Sequence, residues 1–184
     1  MLADALHNMH GRRLHGFAIL ITLGDELAAE RATGRALAAG ARQATEPGQP
    51  KRIAAWLRAR TLRDLSRWQR RKSIPTLVRR DVLASLGVDD VIFQALAAMS
   101  LRARAVLVAS TVERFALTDI ETIISSPPTA TRRAVADARA RYLRVAGDEP
   151  GSWPDTQGLH QQGELAKRVE AVVSRAMSAD RGLG

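Results

Sequence analysis

A chain of 184 residues, 46% hydrophobic and 26% charged, can bury one mid-sized core or two small ones, and this composition excludes an extended, solvated polymer. The absence of cysteine excludes disulfides, iron–sulfur clusters, thiolate zinc sites and cysteine nucleophiles. The net charge of +9 is unevenly placed: residues 51–80 hold eleven Lys or Arg against the single acid Asp64, while the rest of the chain holds seventeen bases and eighteen acids. Charge concentrated in this way is an electrostatic footprint for a polyanion, and two of the three tryptophans, Trp56 and Trp68, lie inside it.

Alanine, leucine and arginine dominate, alternating β-branched runs are rare and no Asn-Gly or Asp-Gly turn occurs, so the spacing predicts an all-α fold. Leu6, Met9, Leu14, Phe17, Ala18 and Ile21 recur at helical steps over residues 3–23. Leu23-Gly24-Asp25 then supplies a stop and an N-cap. A second, Ala-rich helix follows over 26–44, with Gly34 and Gly40 inside it, and residues 46–50 form a loop around two prolines. Ile53, Trp56, Leu57, Leu62 and Leu65 mark the apolar side of a third helix that runs to Lys72 with arginines between them.

Ser73-Ile74-Pro75 breaks that helix, and residues 73–90 read as a basic linker with one helical piece. Asp89 or Asp90 caps a helix carrying Val91, Phe93, Leu96 and Met99, and Ser100 caps the next, lined by Leu101, Ala105, Leu107 or Val108, and Val112. A short helix over 118–124, the break Ser125-Ser126-Pro127-Pro128 and a long helix over 129–145 complete the region. Residues 147–158 read as a loop and 164–179 as a final amphipathic helix of unassigned role.

Short helix, tight break and basic helix together form a helix-turn-helix silhouette. Its second helix would place Thr129, Thr131, Arg132 and Arg133 in the first turns, where arginine pairs with guanine edges or clamps phosphates. Arg139, Arg141 and Arg144 lie further along and suit phosphates or solvent; two packed helices with a solvated arginine face are the plainer reading of the same pattern.

The run Arg104-Ala-Val-Leu-Val108, then Glu113, Leu117-Thr118, Ile120, Ile123-Ile124 and Arg139-Ala-Arg141, resembles the C-terminal promoter-binding region of bacterial sigma factors of the extracytoplasmic-function group. His10, Arg13-Leu14, Phe17-Ala18 and Leu20-Ile-Thr22 resemble the start of that family's second conserved region, and Ala55-Trp56-Leu57 with the following arginines resembles its promoter-melting helices. The resemblance covers about residues 3–72 and 96–145. It implies two helical domains, a region 2-like bundle over 1–72 and a region 4-like helix-turn-helix bundle over 91–146, joined by the linker.

The resemblance also implies promoter DNA as partner, with Arg58, Arg60, Arg63, Arg67, Trp68, Arg70, Arg71 and Lys72 at the downstream element and melted strand. An aromatic side chain there can stack on an unpaired base; Trp68, between Arg67 and Gln69, suits this better than Trp56, which reads as core. Core RNA polymerase is the second implied partner, and an anti-sigma or other regulatory protein a third. Where the family carries an acidic docking stretch, this chain has Arg31-Ala-Thr-Gly-Arg35 after Glu30, so docking on polymerase in the usual mode is in question. Ser125 stands where the family's turn usually has glycine. An adaptor or regulator that keeps the fold but has lost conventional polymerase docking, and acts by DNA binding or protein–protein interaction, is the alternative.

No Walker-type or dinucleotide-binding glycine loop is present, and His7, His10 and His15 lack the further ligand a metal site needs, Asp4 being the one convenient carboxylate. Neither an enzyme nor a metal or cofactor is expected. The longest apolar stretch, residues 17–23, falls well short of the roughly 20 residues a bilayer requires. No signal-peptide pattern opens the chain, so a cytoplasmic protein without a membrane partner is expected.

Overall fold

Local signals place the helix ends where side chains can satisfy the first free backbone N–H groups. In the computed structural model, which describes residues 6–43, 50–68, 76–85 and 88–146, Asp25 accepts from the Ala28 N–H at 2.9 Å, Asp89 from Ile92 at 2.8 Å and Ser100 from Ala103 at 3.2 Å. A π-helical turn, His7–Gly11, leads into α1 (Arg12–Thr22), followed by α2 (Glu26–Gln43), α3 (Pro50–Trp68), α4 (Thr76–Ser85), α5 (Asp90–Ala97) and α6 (Leu101–Leu107). A second π-helical turn, Val108–Val112, extends α6 before α7 (Leu117–Ile124) and α8 (Pro128–Ala146). The described residues are almost all helical and contain no strand. The expected loop and helix after residue 146, residues 46–49 of the expected loop at 46–50 and the break at 73–75 lie outside them, while Pro50 opens α3 rather than closing that loop.

Gly34 and Gly40 do not interrupt α2, and they serve different ends. A Cβ at Gly34 would meet nothing within 4 Å, whereas one at Gly40 would sit 3.1 Å from Leu57 Cδ2 and 3.5 Å from Leu6 Cδ1. Gly40 therefore allows α2 to approach α3 closely. Met9, expected on the core face, is 64% exposed. The wider π turn around it rotates the apolar stripe, so Leu6 and Leu14 point inward while Met9 does not. Val91, also expected inside, lies exposed in the first turn of α5.

The main core is continuous through both halves of the chain. Phe17 to Ile21 of α1, Leu62 and Leu65 of α3, Leu83 of α4, Phe93 and Leu96 of α5, Ala105 to Leu107 of α6, Ile120, Ile123 and Ile124 of α7 and Ala138 of α8 belong to one buried cluster. A smaller cluster (Leu6, Leu14, Ala36, Leu37 and Leu57, with Trp56 half-buried at its edge) joins the first three helices. Helix α3 packs extensively on α7, α1 packs on α6, and α8 lies across α5 and α6. Leu83 and Val88 are buried, so the described part of the expected linker contributes to the core.

Candidate nucleic-acid interface

The turn between α7 and α8 is built by backbone conformation rather than by glycine. Ser125 ends α7 in the left-handed region at φ 49°, and the Ser126 N–H donates to the Glu121 carbonyl at 3.1 Å. Pro127 precedes α8 and Pro128 is its first residue, where a missing N–H costs nothing. The Thr131 hydroxyl donates to the carbonyls of Pro127 at 3.0 Å and Ser126 at 3.3 Å. That side chain is fully buried, so Thr131 fastens the turn and is withdrawn from any groove contact, which corrects its sequence-based assignment as a DNA ligand.

Thr129, Arg132 and Arg133 are exposed on the first turns of α8, and Arg139, Arg141 and Arg144 are exposed further along. Ala134, Val135, Ala138, Tyr142 and Leu143 occupy the opposite side, packed or buried toward the core. The helix thus exposes five arginines along its solvent side, with exposed Asp137 among them. Arg133 is 86% exposed and lies 3.8 Å from Asp137, a separation and exposure at which an ion pair holds the guanidinium only weakly. Arg102 of α6, which the sequence reading passed over, donates to the Ser126 hydroxyl and adds an exposed guanidinium beside the turn.

Helix α3 distributes its arginines differently. Arg52, Arg63 and Arg67 are exposed; Arg60 is half-buried, 3.4 Å from Asp64. Arg58, expected at DNA, is 2% exposed and forms a two-pronged ion pair with Glu113. Its guanidinium also lies over the rings of Phe115 (4.8 Å) and Phe17 (5.8 Å). The reason is positional: Ala55, Leu62 and Leu65 form the buried stripe of α3, and Arg58 falls on it. The Trp68 side chain and Arg70, Arg71 and Lys72 lie outside the described residues.

A second interior arginine, Arg104, donates to the Ile21 carbonyl at 2.7 Å, Met99 at 2.9 Å and Leu96 at 3.2 Å. On α2, Glu30, Arg31 and Arg35 are all exposed on a face that also shows Leu27, so they are accessible to a protein partner. Burial and the nearby charges of Arg58 and Arg13 hold His10 below the usual imidazole range. His15 is held low by burial, against the opposing pull of Glu30 and Glu26. Among the described residues no three metal-ligating side chains cluster, and no helix is long and apolar enough to cross a membrane.

No family model matches the chain, and no curated protein or solved structure matches it significantly.

Proposed function

We propose that the chain is a sigma-like transcription initiation factor of the extracytoplasmic-function type, binding promoter DNA through α8 and recruiting RNA polymerase. The observation that carries this reading is the exposed arginine face of α8, which starts with Arg132 and Arg133 behind a fixed turn. A helix set on the surface with bases at its N-terminal turns suits major-groove entry, with guanine edges as targets and the later arginines on phosphates. Exposed Arg63 and Arg67 on α3 supply a second cationic surface for the strand near the start site.

The test is duplex binding over a range of salt. Neutralising about six phosphates gives a slope of log affinity against log salt near −5, from roughly −0.9 per phosphate. Arg132→Ala or Arg133→Ala should relax sequence preference, whereas Arg63→Ala with Arg67→Ala should weaken all sequences alike. A flat salt response would remove nucleic acid as a partner.

A second reading is favoured by Arg31 and Arg35 on the exposed face of α2. There the protein is an adaptor of sigma-like fold that meets polymerase on another surface or acts through another regulator. Pull-down of purified core polymerase separates the two, and Arg31→Asp with Arg35→Glu should improve that binding only if α2 faces the polymerase clamp.

A further inference from the structure

The solvent side of α8 carries a charge that its own helix does not balance. Arg132, Arg133, Arg139, Arg141 and Arg144 are all exposed, and Asp137 is the one acid in Pro128–Ala146, which leaves the helix at +4. The opposite side is already occupied, because Ala138 and Leu143 are buried and Ala134, Val135 and Tyr142 pack against the core. An occupant of the arginine side therefore has to be anionic.

The chain itself supplies one. Residues 147–164 contain Asp148, Glu149, Asp155 and Glu164 and no Lys or Arg, a net charge of −4 that matches α8 in size and opposes it in sign. The excess is confined to this stretch: residues 165–184 swing back to +2, with four bases against two acids, and fit the arginines poorly.

Placement also favours α8. The acidic stretch begins at the residue after the helix, and Asp148 is four positions beyond Arg144. From Asp148 to Glu164 a chain can reach at most roughly 50 Å, at about 3.3 Å per residue. The helix is only about 28 Å long, at about 1.5 Å per residue, so the acids can reach as far back as Arg132. A tether this short holds them near α8 at an effective concentration on the order of millimolar.

We propose that residues 147–164 lie along the arginine side of α8 as an internal polyanion that DNA has to displace. That DNA is the competitor rests on the function proposed above; the contact itself rests on charge and chain connection. The segment lowers affinity for every duplex, and a duplex held by phosphates alone has the least affinity to lose before it is released. One that also offers base edges to Arg132 or Arg133 is retained.

The chain contains no cysteine, so Ser152→Cys places a single nitroxide on the full-length protein. Amide spectra of the labelled protein should show paramagnetic broadening at residues 132–144. The broadening should vanish at about 1 M salt, where charges more than roughly 3 Å apart are screened. It should also vanish in the variant Asp148→Asn, Glu149→Gln, Asp155→Asn and Glu164→Gln, whose helical circular-dichroism signal should match the parent's. A mixture of spin-labelled protein and isotope-labelled protein without a nitroxide should show none. Broadening that is absent from α8, insensitive to salt or present in the mixture would overturn the proposal; the last result would put the segment on a second copy.

Competition is read on the unlabelled proteins with a mixed-sequence duplex. Each solvated ion pair is worth about a factor of two, so the neutralised variant should bind roughly tenfold tighter at low salt. Its salt slope should be the steeper one, because salt that weakens DNA binding to the parent also loosens the segment. Equal affinity in both proteins would overturn the competition. If α8 broadens as expected but neither protein binds DNA, the internal contact is supported and the nucleic-acid function fails.

Discussion

Removing either member of the Arg58–Glu113 pair tests whether a charge is held in the interior, and the two removals should differ in size. Arg58 is 2% exposed, and the Glu113 side chain is 12% exposed. Glu113→Ala therefore leaves a guanidinium with its Ala54 carbonyl contact at 3.0 Å and two aromatic faces, but with no anion and almost no water. Breaking a buried pair from one side costs about 3–5 kcal/mol, and Glu113→Ala belongs in that range. Arg58→Met keeps an apolar stem between the rings and leaves a carboxylate nearer solvent, so its cost should be smaller, about 2 kcal/mol.

The double replacement Arg58→Met with Glu113→Leu removes both charges and refills the volume, and should recover most of the loss. Urea unfolding of the parent, Arg58→Met, Glu113→Leu and the double replacement closes a cycle and gives the coupling energy from midpoints and slopes, with Glu113→Ala measured beside it. For a chain of this size, Glu113→Ala should lower the melting temperature by on the order of 10 °C. The reasoning is refuted if both single variants lie within about 0.5 kcal/mol of the parent, as exposed pairs do, or if the double replacement costs the sum of the singles.

Gly34→Ala should stabilise the chain by about 1 kcal/mol through helix propensity. Gly40→Ala gains the same propensity but drives a methyl against buried Leu57, an overpacking cost of about 1–3 kcal/mol, so its denaturation midpoint should fall below that of Gly34→Ala. Ser125→Gly should stabilise by about 1 kcal/mol, since glycine takes φ 49° without the Cβ penalty, and should leave DNA affinity unchanged when both are measured on one preparation. His10 and His15 have folded-state pKa values below their unfolded value, so the unfolded chain binds more protons as pH falls below about 6.5. Stability should therefore be flat above neutrality and decline through pH 6, and replacing both histidines with Gln should flatten the decline in urea midpoints at pH 7.5 and 5.5.

The helix boundaries were legible because each has a local chemical cause. Asp25, Asp89 and Ser100 cap where a short polar side chain precedes an apolar period, and Ser125-Ser126-Pro127-Pro128 breaks where proline forbids continuation. The interior arginines are a different matter, because burial of a charge depends on a partner distant in sequence: Arg58 meets Glu113 and Arg104 meets Ile21. A signal was nevertheless present. Arg58 lies three residues after Ala55 and four before Leu62, and Arg104 lies three after Leu101 and four before Val108. In both helices the arginine occupies an apolar-stripe position. Thr131 belongs to the same class, seven residues before buried Ala138 on one side of α8. Residue type pointed outward in all three, and position on the helix pointed inward.

Position also changes what the basic stretch at 51–80 means. Within it, Arg58 is neutralised in the interior, Arg60 is near Asp64, and Arg80 is bound to Asp90. Formal charge counts these three as fully as it counts Arg63, yet their fields are largely balanced by a neighbouring carboxylate. On α8 the reverse holds: Arg132, Arg139 and Arg141 are exposed, and the weakly held Arg133 stands beside them. Among the described residues, α8 therefore shows more exposed arginines than α3, where only Arg52, Arg63 and Arg67 stand clear of a carboxylate.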